Sequence, residues 1–136
     1  MYMPPARTPG NPMRILVVDD EHCIVDEVCD FLRRRGHEAV PAGGVEEASQ
    51  ALATAPPFDV VLTVMKMPQG SGLDVLRACN RSGPPRPTTL LMTGQSDDGD
   101  VERATAEGVL SVLWKPLSLR KILEALAVVE RYRAAG

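Results

Sequence analysis

The sequence predicts an α/β fold of the doubly wound kind, one five-stranded parallel sheet with helices on both faces. Short apolar runs alternate five times with longer stretches of helical spacing, and that alternation implies parallel strands joined by crossover helices. The first run, Ile15-Leu16-Val17-Val18, has no polar alternation and reads as a strand buried on both faces. It runs directly into Asp19 and Asp20. The carboxyl end of such a strand is the edge where open parallel sheets bind ligands. Two carboxylates about 5 Å apart at an effective dielectric of roughly 20 repel by about 3 kcal/mol. A cation, either a metal ion or a lysine from elsewhere in the chain, is therefore expected against them.

The elements follow in order. Ile24, Val25, Val28, Phe31 and Leu32 have helical spacing, and Arg33-Arg34-Arg35-Gly36 closes that helix with cations and a left-handed cap. Residues 37–42 form a short, weak strand, and Gly43-Gly44 breaks the chain. Val45, Ala48, Ala51, Leu52 and Ala55 mark a second helix stopped by Pro56-Pro57. The next buried strand covers 59–64, and 65–70 read as a loop. Ser71-x-x-Asp74 resembles a capping box opening a third helix through Leu73, Val75, Leu76 and Cys79. A stiff proline-rich connection precedes the fourth strand, Thr88 to Thr93. Ser96-Asp97-Asp98 begins a polar fourth helix ended by Gly108, the fifth strand covers 109–114, and Lys115-Pro116 closes it. Ser118 caps a last helix lined by Leu119, Ile122, Leu123, Leu126 and Val129.

Composition limits the function classes. At 136 residues, 44% hydrophobic and 24% charged, the chain suits one globular domain. A net charge of −3 gives no electrostatic reason for nucleic acid as a partner. The basic residues Arg120, Lys121, Arg131 and Arg133 are interleaved with apolar ones and read as a solvated helix face. No apolar run approaches the roughly 20 residues of a membrane span. Cys23, Cys29 and Cys79 lack C-x-x-C spacing; they read as structural thiols in a reducing, cytoplasmic setting. His22 and His37 are expected at solvated positions. Residues 1–12, rich in proline, are expected to be a disordered tail before a domain over 13–136 with no effector domain attached.

If the strands are parallel, their carboxyl ends collect Asp19 and Asp20, Val64 with Lys66 after it, Thr93, and Lys115 on one edge. Two acids suit a hard divalent cation such as magnesium, which prefers one or two carboxylates plus water and phosphate oxygens. A hydroxyl and a lysine suit phosphoryl oxygens.

The ordered set Ile15-Leu16-Val17-Val18-Asp19-Asp20-Glu21, Met67-Pro68-x-Gly70-x-Gly72-Leu73, Leu91-Met92-Thr93-Gly94 and Trp114-Lys115-Pro116 resembles a response-regulator receiver domain over roughly 13–131. The resemblance implies a flavodoxin-like sheet of strand order 2-1-3-4-5. It also implies a phosphorelay in which an aspartate ending the third strand takes phosphate from a phosphohistidine of a sensor kinase or phosphotransfer protein. That position here is Val64. By the same resemblance Asp19, Asp20 and the Lys66 carbonyl match the Mg2+ ligands, Thr93 the switch hydroxyl and Lys115 the phosphate-contacting lysine. The aromatic residue usual three positions before the lysine falls on Val112, which Trp114 does not replace. The chain is thus expected to be a non-enzymatic, stand-alone receiver that cannot take phosphate at the usual site and binds Mg2+ weakly, with Lys115 paired to Asp19 or Asp20. The intact remainder of the pocket favours an Asp→Val change in a working receiver.

Its expected partners are the kinase, a downstream protein of unknown identity, and a second copy through the face of the fourth helix, fifth strand and fifth helix. The alternative is a pseudo-receiver that binds proteins without phosphate. A haloacid-dehalogenase-type phosphatase fits poorly, since that family opens with Asp-x-Asp-x-Thr. A dinucleotide-binding domain would need a G-x-G-x-x-G after the first strand.

Overall fold

The structure, a computed structural model, describes residues 12–54, 56–83, 85–94 and 99–135. Strand β1 (Arg14–Val18) is followed by α1 (His22–Arg34), β2 (Glu38–Ala42), α2 (Val45–Thr54) and β3 (Val60–Val64). A small hairpin, β4 (Lys66–Met67) and β5 (Gly70–Ser71), leads into α3 (Gly72–Arg81). Then come β6 (Thr88–Thr93), α4 (Asp100–Ala106), β7 (Ser111–Trp114) and α5 (Leu119–Ala135). The five-stranded sheet runs β2-β1-β3-β6-β7 with every pairing parallel. Leaving out the hairpin, this is the expected 2-1-3-4-5 order.

Successive strand residues serve opposite faces of the sheet. Ile15, Val17, Leu62 and Val64 pack with Val25, Val28 and Leu32 of α1 and with Ile122, Leu126 and Val129 of α5. Leu16, Val18 and Val61 pack with Ala48 of α2 and with Val75 and Cys79 of α3. Met65 and Leu91 pack with Leu73 and Leu76 of α3 and Ala104 of α4. Two-sided burial explains the apolar run 15–18 of β1 and the apolar residues on both faces of β3. Pro41 is tolerated because β2 is an edge strand, where one side of the backbone needs no ladder partner.

Several local expectations hold. Gly36 has φ +95°, its N–H donates to Arg33 O at 3.0 Å, and His37 N–H donates to Leu32 O at 3.1 Å, which closes α1 in a Schellman motif. The capping box is complete: Leu73 N–H donates to Ser71 Oγ at 3.1 Å and Ser71 N–H to Asp74 Oδ2 at 2.9 Å. Ser71→Ala should lower stability by about 1 kcal/mol in a denaturant titration. At α5, Lys121 N–H donates to Ser118 Oγ at 3.2 Å.

Other expectations need correction. The segment 65–70 is a hairpin, with Lys66 opposite Ser71, rather than a plain loop. Gly70 permits the turn: its φ is +150°, and a Cβ there would lie 2.7 Å from Val45 Cγ2. Cys29 and Cys79 are buried as structural thiols should be, but Cys23 is exposed. His22 is exposed, whereas His37 is half-buried and accepts a hydrogen bond from Met13 N–H. The expected tail falls mostly on 1–11, and the expected start of the fourth helix on 96–98; both lie outside the described residues. No described helix is long and apolar enough to cross a membrane.

Candidate functional site

The sheet register brings the strand ends together. Val18 at the end of β1 sits opposite Thr63, Val64 opposite Met92, and Thr93 opposite Trp114. The chain leaves each strand on the same edge, so the residues after these positions converge. Val64, Met65, Lys66, Met92, Thr93, Gly94 and Lys115 line one cleft of about 240 Å3. Val64 is 4% exposed and Thr93 5%. Lys115 is held by its own N–H on Thr93 O at 2.9 Å, and its side-chain stem lies over Gly94, with Cδ 3.5 Å from where a Cβ would stand. The Lys115–Pro116 peptide bond is cis.

Asp19 and Asp20 stand beside this cleft and outside its lining. Asp19 is buried at 1% exposure, while Asp20 is exposed. Asp19 Oδ1 accepts Glu21 N–H at 3.0 Å, so this acid also shapes the entry to α1. Its Oδ2 is buried with no hydrogen-bond partner. Burial pushes the Asp19 carboxyl above the usual carboxylate range. The Glu21 N–H and the positive charge of Lys115 pull it down, and the Glu21 and Asp20 carboxylates push it up. Lys115 thus acts on Asp19 through its field. No ion pair within 4.0 Å joins Lys115 to Asp19 or Asp20 among the described residues, so the direct pairing expected from sequence does not form. The geometric reason is the path of the lysine stem over Gly94. Lys115 also borders a neighbouring cavity of about 360 Å3 with Glu21, Ile24, Glu27 and Leu119.

A folded-state value raised above the unfolded one means the ionised acid opposes folding. That contribution is favourable below the unfolded value of 3.8 and is lost as pH rises through the folded one. Asp19→Asn is therefore expected to raise Tm at pH 7 and to lose magnesium binding, measured by thermal unfolding with and without the ion. An equal or lower Tm would contradict the burial argument.

The donor set fits a hard divalent cation in part. Asp19 supplies a buried oxygen without a partner, Asp20 a second carboxylate, and Lys66, two residues past the end of β3, a main-chain carbonyl. These are one or two carboxylates and a carbonyl, which suits magnesium with several retained waters. Among the described residues no cluster of three acidic, histidine or cysteine side chains forms. At the end of β3 stands Val64, whose side chain offers no metal ligand.

Sequence reasoning missed what holds β3 in place beneath the cleft. Gly72 N–H donates to Met65 O at 2.7 Å, and a Cβ on Gly72 would lie 2.7 Å from Val64 O and 2.9 Å from Leu91 Cδ1. The glycine in Met67-Pro68-x-Gly70-x-Gly72 was the available signal. Val112 is half-buried against the α3–α4 core, and Trp114, opposite Thr93 in the β6–β7 register, is 44% exposed.

Comparison with known proteins agrees with this architecture. The response regulator receiver domain family matches residues 15–127. A response regulator receiver protein of Anaeromyxobacter sp. (strain Fw109-5) is 35% identical over 111 residues, covering 82% of this chain and 46% of that protein. The transcriptional regulatory protein PdtaR of Mycobacterium tuberculosis is 31% identical over 125 residues, covering 90% of this chain and 59% of its own length. The chain thus spans about half the length of these curated relatives. The probable chemotaxis protein CheY of Rhizobium etli is 28% identical, with 88% of this chain and 94% of that protein covered. Among solved structures, a receiver domain protein from Clostridium thermocellum superposes with a TM-score of 0.81 at 29% identity, covering 90% of this chain and 98% of that one. With the matched segment spanning all five strands and the strand-end cleft, the chain belongs to the response regulator receiver domain family.

Proposed function

We propose that the chain is a receiver of a two-component phosphorelay whose acceptor position is chemically closed, because Val64 takes no phosphoryl group. The observation that carries this reading is the placement of Val64, the last residue of β3, in one cleft with Thr93 and Lys115. Its side chain ends in methyl groups and has no lone pair to attack phosphorus. The hydroxyl and ammonium that would contact phosphoryl oxygens stand around it. Asp19, Asp20 and the Lys66 carbonyl would hold Mg2+, which supplies charge neutralisation for phosphoryl oxygens when bound. With Val64 in place of a third carboxylate the ion is held weakly.

In this reading the chain is a cytoplasmic signalling module and not an enzyme. It meets a sensor histidine kinase or phosphotransfer protein upstream and a protein partner downstream. Incubation with acetyl phosphate and Mg2+ should leave one unmodified species by intact mass. A phosphorylated species mapped to the cleft would overturn the reading.

A second reading, an interaction module that works without phosphate, is favoured by one surface. Trp114 is 44% and Val128 39% exposed, and both line a groove of about 310 Å3 between β7 and α5. Contiguous exposed apolar side chains rimmed by Lys121 and Glu124 suit a protein contact, including a second copy of the chain. Partner binding that is equal for this chain and for phosphorylated Val64→Asp would favour this second reading.

A further inference from the structure

At the other end of the sheet from Asp19, His37 holds the entry of β1, within the field of Glu130 on α5. Its Nδ1 accepts Met13 N–H at 3.1 Å, so the neutral ring carries its proton on Nε2. On the other side of Met13, Glu38 N–H donates to Met13 O at 2.9 Å. The two bonds clamp the main chain just before β1, and the Met13 side chain is buried at 7% exposure in the α1–α5 core. Glu130 of α5 has Oε2 buried with no hydrogen-bond partner, and its charge acts on His37. A buried carboxylate oxygen in that state gains from any donor brought to it.

The other charged groups around the ring are Arg35, Arg14, Glu38 and Asp59, and the Nε atoms of Arg14 and Arg35 are buried without a hydrogen-bond partner. Arg35, at the end of α1, opposes a positive charge on His37. Arg14, Glu38 and Asp59 share a cavity of about 320 Å3 with His37. Arg14 pairs with Glu38, Arg14 N–H donates to Asp59 Oδ2 at 2.8 Å, and Arg133 holds Asp59 Oδ1 at 3.2 Å. Among the acids named here, Glu130 is the one with a buried oxygen that lacks a hydrogen-bond partner.

We propose that His37, Met13 and Glu130 form an acid-operated latch. One proton from solvent binds Nδ1, the ring changes from acceptor to donor, its bond to Met13 N–H breaks, and the imidazolium turns to the Glu130 carboxylate. The N–H bond formed by that proton is the one covalent change, and it reverses when the proton returns to solvent. At neutral pH the latch is closed, because burial holds His37 below its ordinary value, more strongly than Glu130 raises it. Acid therefore opens the latch below the ordinary histidine range of about 6.5. The device is independent of Val64 and of phosphate.

The test is an NMR titration of the full chain from neutral to mildly acidic pH, following the His37 ring and the Met13 amide. The two should move with one midpoint. In Glu130→Gln both midpoints should fall by at least about half a pH unit, as loss of a nearby opposite charge requires. In His37→Gln the Met13 amide should lose its pH response. A Met13 amide that stays still while His37 titrates, a midpoint unchanged by Glu130→Gln, or a response that survives in His37→Gln would each overturn the latch.

Discussion

Val64→Asp is expected to turn an inert chain into one that takes up a single phosphoryl group from acetyl phosphate in the presence of Mg2+. In the proposed reading, the groups that would contact the phosphoryl oxygens already stand at the strand ends. Thr93 and Lys115 already line the cleft with position 64, and Asp19 already lies within the field of Lys115. Removing Lys115 in the Val64→Asp background should lower the transfer rate by about 100-fold or more, the usual size of a lost charge-stabilising donor. The same substitution carries a folding penalty. Val64 packs in the α1–α5 core at 4% exposure, and Asp19 is a buried acid nearby. Placing a carboxylate there should lower stability by about 1–3 kcal/mol without metal. Saturation with Mg2+ to about 100 times its Kd would return about 2.7 kcal/mol. Intact mass and metal-dependent thermal unfolding read both effects. A variant that folds, binds Mg2+ and still gains no phosphoryl group would contradict the reading of position 64.

Gly72→Ala is the second large expected effect, and it falls on stability. The new Cβ would stand 2.7 Å from Val64 O, 2.9 Å from Leu91 Cδ1 and 3.3 Å from Met65 Cα. Two of the three obstacles are backbone, fixed by the β3–β6 ladder and by the Gly72 N–H bond to Met65 O. Overpacking of this kind costs about 1–3 kcal/mol even after the better helix propensity of alanine is credited. The displacement would fall on the segment that carries Val64, so the cleft should change shape with it. Gly44→Ala is the control for space: nothing lies within 4 Å of its Cβ, and since Gly44 O accepts Ala48 N–H at the start of α2, only the loss from a poorer helix cap, under about 1 kcal/mol, is expected. Equal denaturation midpoints for the two variants would refute the close approach at Gly72.

The sequence displayed the sheet more fully than the site. Short apolar runs bounded by turn signals, such as 15–18, read as strands buried on both faces, so strand identity and the binding edge were readable from residue type and from alternation with helical segments. Glycine at 36 and serine at 71 marked helix ends because each has a local backbone job. Residue type does not carry side-chain direction over distance. Lys115 was expected against an aspartate, yet its stem is drawn over Gly94, a position 21 residues earlier that meets it only through β6–β7 pairing. The hairpin at 66–71 was missed for a similar reason. Its turn is selected by the Gly70 φ of +150° and the proximity of Val45, from a helix far back in the chain. His37 looked solvated because a lone histidine beside a glycine gives no hint of the Met13 N–H that bonds it or of the Glu130 charge that acts on it.

The account stands on the strand-end acids, Lys66 and position 64 forming one site that lacks a carboxylate. A Mg2+ titration of this chain and of Val64→Asp, followed by amide shifts, measures that directly. The account predicts shifts centred on Asp19, Asp20 and Lys66 in both proteins, and an affinity at least about tenfold higher in Val64→Asp, about 1.4 kcal/mol. Equal affinities, or shifts centred away from those residues, would contradict it.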